Sequence, residues 1–183
     1  MEHPGEIWQE YDFNGERLGG VEPKEFLEEK TKLLGAVTIM LYRFNDGKLE
    51  FLFQHRAKNL RANPDKWDIS AGGHINLNEP RLDAALRETK EEIGVDLDVN
   101  KLEFSVFYCR RVKLIAGLYF YDWTGMPDSF NFNDQEVEEV KWVAEEDLEV
   151  FWPNLKNSLR DDEILKLTMK TKTEEIKMKY GNN

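Results

Sequence analysis

Cysteine and long apolar runs are both scarce in this chain. Its 183 residues include a single cysteine, Cys109, so no disulfide can form within the chain and a zinc site built from several cysteines is excluded. No run of about 18 apolar residues occurs, and residues 1–6 lack the basic and apolar segments of a secretory signal. The sequence therefore predicts no membrane span and a cytoplasmic location.

Positive charge is also in short supply. The chain carries 25 lysine and arginine residues against 36 aspartate and glutamate residues, a net charge of −11. Long nucleic acids are bound mainly through basic surfaces that neutralise phosphates, so we expect no such partner. A small phosphorylated substrate is compatible with an acidic protein, because a divalent ion can bridge the two. The length suits one domain, and 40% hydrophobic residues can supply its core.

The acids are concentrated in one amphipathic segment, Glu79 to Ile93. Glu88, Glu91 and Glu92 stand at i, i+3 and i+4, which places three carboxylates together on one face of a helix. Like charges at this spacing cost roughly 0.2–0.5 kcal/mol per pair. The acidic face is therefore either a solvated surface or a site for a hard divalent ion with oxygen ligands. A neighbouring face is apolar at helical spacing and is predicted to be buried: Leu82, Ala85, Leu86, Thr89 and Ile93.

The spacing of the whole block favours the ion site. A glycine is followed after five residues by glutamate, after seven more by Arg-Glu, after two more by Glu-Glu, and then by glycine and valine. The block resembles the Nudix box, with Thr89 in a slot that is otherwise aliphatic. Eight fixed positions at fixed offsets make this a specific signal. They are Gly73, Glu79, Arg87, Glu88, Glu91, Glu92, Gly94 and Val95.

The resemblance covers roughly residues 33–150 and implies an α/β fold, the Nudix α/β/α sandwich around a mixed sheet. Residues 1–32 would form an N-terminal β-hairpin extension, and residues 151–183 a C-terminal helical tail of the same single domain. Asn14-Gly15 predicts that hairpin, because it supplies the positive φ values of a tight turn between two strand-like runs. Further strands are predicted at 34–44, 49–56, 67–70, 102–111, 114–123 and 137–144.

Two helical segments are predicted outside this core. Pro23 stands near the start of a short helix that runs to Lys30. The segment after Pro153 is charged and helical in pattern. Its predicted packing residues are Ile164, Leu165, Leu167 and Met169.

The resemblance implies a metal-dependent pyrophosphohydrolase that cleaves a diphosphate linkage in a nucleoside diphosphate derivative or a similar small molecule. Glu88, Glu91 and Glu92 would bind Mg²⁺ or Mn²⁺. Arg87 would hold the box together by pairing with one of its carboxylates. The glycine pair before the helix leaves backbone carbonyls close to the acids, so the carbonyl of Gly73 is a further candidate metal ligand. Bound ions would polarise the diphosphate and activate a water for attack at phosphorus.

The general base for that water stays open between two sets of acids. One set is the box acids Glu88 and Glu92. The other is a carboxylate from the region after residue 133, where Glu136 and Glu139 are the nearest candidates and would also lie on the substrate side of the site. A base must lie within about 2.6–3.2 Å of the water or act through one more water.

Basic residues flank the box on both sides and suggest where phosphates would bind. Before the box we predict that Arg56 contacts the substrate, and after it Arg111. The alternative for each is a solvated surface charge. The loop from Thr124 to Asp134, rich in Gly, Pro, Asp and Asn, is expected to shape the specificity pocket.

A second enzyme class has to be weighed, because the segment from Phe53 to Arg56 through Trp67 to His74 is similar to isopentenyl-diphosphate isomerases within the same family. Those enzymes use a cysteine where this chain has Gly72, and acidic residues where this chain has the basic segment 111–115. The histidines available here, three in all, also fall short of the isomerase set. We therefore favour a hydrolase, with the isomerase and a non-catalytic binding module as alternatives. A homodimer is a possible assembly.

Overall fold

The computed structural model describes residues 5–22, 33–60, 62–110, 113–132, 135–156 and 163–180, without the side chains of 107–110. Within these ranges the chain forms strands and helices joined by turns and short 3₁₀ segments. The strands are β1 Trp8–Tyr11, β2 Arg17–Val21, β3 Leu33–Asn45, β4 Lys48–Arg56, β5 Trp67–Ile69, β6 Leu102–Arg110, β7 Leu114–Asp122 and β8 Val137–Ala144. The helices are α1 Arg81–Ile93, α2 Leu148–Phe151 and α3 Glu163–Tyr180.

Strand β3 is the centre of a mixed sheet. It runs parallel to β7 from the pair Leu34 and Leu114 to the pair Tyr42 and Asp122, and β6 lies antiparallel on the far side of β7. Strand β4 returns from β3 through a tight turn and pairs with both β5 and β8. A strand covered on both faces reads as a continuous apolar run, which explains why every residue of β3 from Leu33 to Tyr42 is buried.

Strand alternation divides the core into two layers. Met40 faces one side of the sheet, where the buried residues Leu165, Met169 and Ile176 of α3 pack. Its neighbours Ile39 and Leu41 face the other side, where α1 packs through Ala84, Ala85 and Ile93. The result is the predicted α/β/α arrangement, with the acidic helix on one face and the C-terminal helix on the other.

The N-terminal hairpin forms as Asn14-Gly15 predicts and joins the main sheet. Its strands β1 and β2 are antiparallel, and the carboxylate of Asp12 accepts hydrogen bonds from the backbone N–H groups of Asn14 and Glu16, both at 2.9 Å. Strand β1 then pairs with the start of β3 through Glu10 and Leu34. The predicted short helix at 23–30 lies outside the described residues.

The C-terminal helix packs through a face that agrees only in part with the predicted one. Leu165 and Met169 are buried as predicted, but the prediction for Ile164 and Leu167 is wrong, since they are 45% and 65% exposed. The buried face continues instead at Thr173 and Ile176, at helical spacing from Met169. No helix in the part of the chain that the structure describes is long and apolar enough to cross a membrane.

Candidate active site

The loop that leads into α1 is held against β3 by backbone hydrogen bonds. The N–H of Ile39 donates to the carbonyl of Ala71 at 2.8 Å, and the N–H of Val37 donates to the carbonyl of Gly73 at 3.0 Å. Further along, the N–H of Ile75 donates to the carbonyl of Gly35 at 3.0 Å. The start of the acidic helix is therefore fixed to the most buried strand of the sheet.

Gly73 is required where the loop passes the helix. A Cβ at this position would lie 2.4 Å from the carboxylate of Glu88, closer than two non-bonded atoms can approach. The carbonyl of Gly73, predicted as a metal ligand, accepts the hydrogen bond from Val37. A carbonyl oxygen has two lone pairs, so this bond does not prevent it from ligating an ion.

Arg87 lies at the centre of the acidic helix and all five of its N–H donors are used. The guanidinium forms a two-point pair with Glu79 at 2.8 and 3.0 Å. It also donates to Glu88 at 2.8 Å, to Glu91 at 2.9 Å and to the carbonyl of His74 at 3.0 Å. Arg87 therefore ties the loop to the helix and has no donor left for a substrate.

Two of the remaining box acids are largely buried, and burial raises the pKa of each. Burial raises the pKa of Glu88 to about 7, against the opposing pull of Arg87. Glu92 is fully enclosed, and burial raises its pKa well above the usual range, with the nearby charge of Glu88 adding to the effect. Its carboxylate accepts from the N–H of Gly72 at 2.8 Å and from Gln54 at 3.0 Å. Glu91, at 49% exposed, faces the solvent.

Thr89, the one departure from the box pattern, fits its slot without disturbing the helix. It is fully buried, and its hydroxyl donates to the carbonyl of Ala85 at 2.8 Å. A buried hydroxyl with its hydrogen bond satisfied carries little penalty. The apolar face of the helix therefore keeps its packing.

The donor set suits a hard divalent ion, although the side chains point to protein partners here. Among the described residues no group of three or more His, Cys, Asp or Glu side chains is arranged around a common ion position. Glu92 turns to Gly72 and Gln54, and Glu91 turns to Arg87. The chemistry fits, because buried carboxylates with raised pKa values are groups that a cation would stabilise in their charged form.

These acids form one wall of a cleft with a volume of about 450 Å³. Of the residues that the sequence predicted, the cleft brings together Gly73, Arg87, Glu88, Glu91, Glu92, Arg56 and Glu136. Glu139 does not reach it: this residue lies on β8 opposite His55 and is exposed to solvent. Arg111 is outside the described residues.

The cleft also contains residues that the sequence did not indicate. Asp68 and Lys156 also line it, and Glu6 and Trp8 come from the N-terminal segment. The ring of Trp8 stacks on His74 with centroids 3.8 Å apart and planes at 12°, and its indole N–H donates to Glu6 at 3.2 Å. These residues are far apart in the chain, so no local pattern could have revealed them.

A model of the NUDIX domain matches residues 32–167, a range that includes the box and the sheet from β3 to β8. An isopentenyl-diphosphate Delta-isomerase from Aliivibrio fischeri (strain MJ11) is 30% identical over 142 residues, which cover 74% of this chain and 78% of that protein.

Two further proteins resemble the chain over shorter or more divergent alignments. An uncharacterized Nudix hydrolase from Listeria innocua is 32% identical over 111 residues, which cover 58% of this chain and 62% of that protein. The crystal structure of a C. elegans Ap4A hydrolase binary complex superposes with a TM-score of 0.56 at 24% identity, and the match covers 78% of this chain and 97% of that one. This last likeness is one of fold.

Proposed function

The chain belongs to the Nudix family, and from that premise we propose that it is a divalent-metal-dependent pyrophosphohydrolase acting on a nucleoside diphosphate derivative or a similar small molecule. The observation that carries the proposal is the cleft itself, which the box acids and Arg56 line together around a space of about 450 Å³. A diphosphate is an anion that such a cleft can hold when a cation joins it to the acids.

Nudix hydrolases generally use divalent metal ions. In this chain Glu88, Glu91 and Glu92 would hold Mg²⁺ or Mn²⁺, with the carbonyl of Gly73 as a further ligand. The ion would supply polarisation of the diphosphate and a lowered pKa for the attacking water. The arginine at the centre of the box, Arg87, serves as a positioning residue, because each of its donors holds part of the loop or the helix.

For the general base we favour the box acid Glu88. Its carboxylate lines the cleft and its side chain is 13% exposed, so it can reach a water there. Glu92 is the weaker box candidate, since it is only 4% exposed and its carboxylate already accepts two hydrogen bonds. Glu136 lines the cleft and is the remaining alternative, whereas the exposed Glu139 is not at the cleft.

Isomerase activity is the second candidate, favoured by the likeness to the Aliivibrio fischeri protein. We rank it lower because Gly72 offers no thiol where the isomerase pattern has cysteine. A side chain there would also clash, since a Cβ at Gly72 would lie 2.6 Å from the backbone carbonyl oxygen of Val37. The single cysteine, Cys109, lies in β6 and pairs with Ile115.

A substrate panel with and without magnesium tests the proposal. The panel contains ADP-ribose, a nucleotide sugar, a dinucleoside polyphosphate and isopentenyl diphosphate, and phosphorus NMR follows the products. We expect cleavage of a diphosphate linkage in at least one nucleotide, abolished by EDTA and restored by magnesium. Formation of dimethylallyl diphosphate without any diphosphate cleavage would instead establish the isomerase.

A further inference from the structure

A phosphate bound in this cleft needs cations around it, and the structure limits which basic side chains can supply them. Among the described residues that line the cleft, the lysine and arginine side chains are Arg56, Arg87 and Lys156. All five donors of Arg87 are used by the box. Arg56 and Lys156 are therefore the described cations that can act on an anionic ligand in the cleft.

Lys156 reaches the cleft because the chain after α2 is attached to the sheet. Leu155 forms a parallel bridge with Trp67 at the start of β5, and the N–H of Lys156 donates to the carbonyl of Trp67 at 2.9 Å. Leu155 is 1% exposed and packs in the core. Extended backbone alternates its side chains, so with Leu155 in the core Lys156 lies on the cleft side.

A buried carboxylate holds both cations at one place. The ammonium of Lys156 bonds to Oδ2 of Asp68, and Nη1 of Arg56 lies 3.7 Å from the same oxygen. The Asp68 side chain is only 3% exposed, and its other oxygen accepts the N–H of Ile69 at 2.9 Å. Arg56 is further fixed by a bond from Nη2 to the carbonyl of Ala62 at 3.3 Å. We call Arg56, Asp68 and Lys156 the basic wall.

We propose that Lys156 is a substrate-binding residue that, with Arg56, holds the phosphate group lying away from the box acids. An ammonium has three N–H donors, so Lys156 can keep its bond to Asp68 and also donate to a phosphate oxygen. The ligand class is a diphosphate, whose two phosphates would span the cleft from the acids to the basic wall. This inference rests on the proposed function for its substrate, but its binding step is measured without turnover.

The test is calorimetric titration of methylenediphosphonate, a diphosphate analogue that cannot be hydrolysed, into the full chain with EDTA and with magnesium. We compare the wild type with Lys156→Met, Lys156→Gln and Lys156→Arg. Glutamine keeps a donor for Asp68 without the charge, and arginine keeps the charge. With magnesium we expect about tenfold weaker binding for Met and Gln and near wild-type binding for Arg. EDTA should weaken binding in the wild type and in every variant, because the ion joins the analogue to the acids.

Lys179→Met is the matched control, because Lys179 also ties the C-terminal part of the chain to an aspartate. Its ammonium donates to Asp122 at 2.8 Å, outside the cleft. If Lys156 served only to fasten the chain, both lysine variants would lower the melting temperature and neither would change analogue affinity. That result would overturn the proposal, as would a wild type that shows no binding with magnesium at about 10 mM analogue.

Failure of this inference can be told apart from failure of the proposed function. A protein that hydrolyses nucleotides but binds the analogue equally well with and without Lys156 would retain its function and refute the role of Lys156. If the wild type hydrolyses nothing in the panel but Lys156→Gln binds the analogue more weakly, the anion site is supported and the proposed reaction is refuted.

Discussion

The two walls of the cleft distribute charge in opposite ways. We call the wall formed by α1 the acid wall. Here Arg87 donates hydrogen bonds to Glu79, Glu88 and Glu91. Glu92 accepts hydrogen bonds from neutral donors. On the basic wall, two cations approach one carboxylate oxygen of Asp68. The acid wall is short of positive charge and the basic wall is comparatively rich in it. A metal ion and a diphosphate placed between them would satisfy both.

The largest loss of activity is expected from substitutions on the acid wall. Glu88→Gln removes the favoured base and a charge from the metal site, so we expect the turnover number to fall by about a hundredfold or more. Glu92→Gln should lower turnover by losing a ligand. Glu139→Gln, an exposed change outside the cleft, is the control and should retain full rate. Steady-state kinetics measures all three, and full turnover in both box variants would reject the site assignment.

Substitutions at the two glycines before α1 should affect different quantities, one the rate and the other the stability. In Gly73→Ala the new methyl group meets the end of the Glu88 side chain, which can move away, so we expect about a hundredfold loss of rate with little loss of stability. In Gly72→Ala it meets the backbone of Val37, so the free energy of unfolding should fall by about 1–3 kcal/mol. Chemical denaturation and kinetics distinguish the two.

Gly19→Ala controls for the substitution itself, because a Cβ there would have no atom within 4 Å. It should leave both rate and stability close to those of the wild type. If Gly72→Ala and Gly73→Ala changed rate and stability equally, the position of the Glu88 carboxylate would not depend on the shape of the loop.

Arg56→Ala tests the basic wall directly. We expect the KM for the diphosphate substrate to rise more than about tenfold, equivalent to about 1.4 kcal/mol of binding, with a smaller change in kcat. Lys58→Ala is the nearby control, since Lys58 is exposed and does not line the cleft. If KM stays unchanged in Arg56→Ala, the basic wall plays no part in substrate binding.

The smallest effect is expected on stability at low pH, from the pair formed by Asp122 and Lys179 outside the cleft. Burial alone would raise the pKa of Asp122, but hydrogen bonds from Lys179, Tyr180 and Thr124 outweigh it and lower the pKa to about 2. A carboxylate whose pKa is lowered on folding stabilises the protein above its unfolded pKa of 3.8, and this contribution is lost as the pH falls through about 2.

Melting temperatures measured between pH 5 and 2 test this contribution of Asp122 to stability. The wild type should lose part of its advantage over Asp122→Asn as the pH falls through that range, and analogue binding at neutral pH should be the same in both. A constant difference in melting temperature across the range would mean that the charge of Asp122 contributes nothing to stability.

Local features of this chain could be predicted from sequence because the residues involved are neighbours. The strands predicted at 34–44 and 49–56 correspond to β3 and β4, and the predicted strand at 137–144 has the observed bounds of β8. The predicted positions of the box acids on one helix follow from the i, i+3 and i+4 spacing alone. The family model that matches residues 32–167 confirms the resemblance that this spacing suggested.

Features assembled from distant segments could not be predicted in this way. Lys156 lies 88 positions from Asp68 in the chain, and the pairing of residues 155 and 156 with Trp67 brings them together. The face of α3 was partly misjudged for a related reason, since Leu167 is apolar but points to solvent. An apolar pattern shows that a helix is amphipathic, but its partner in the fold decides which stripe is buried.

The most direct test of the two-wall account is a crystal structure of the chain with magnesium and methylenediphosphonate. The account predicts the ion at Glu88, Glu91 and Glu92, one phosphonate on the ion, and the other within hydrogen-bond distance of Arg56 and Lys156. An analogue bound with both phosphonates away from the basic wall, or an ion held by residues other than the box acids, would contradict it.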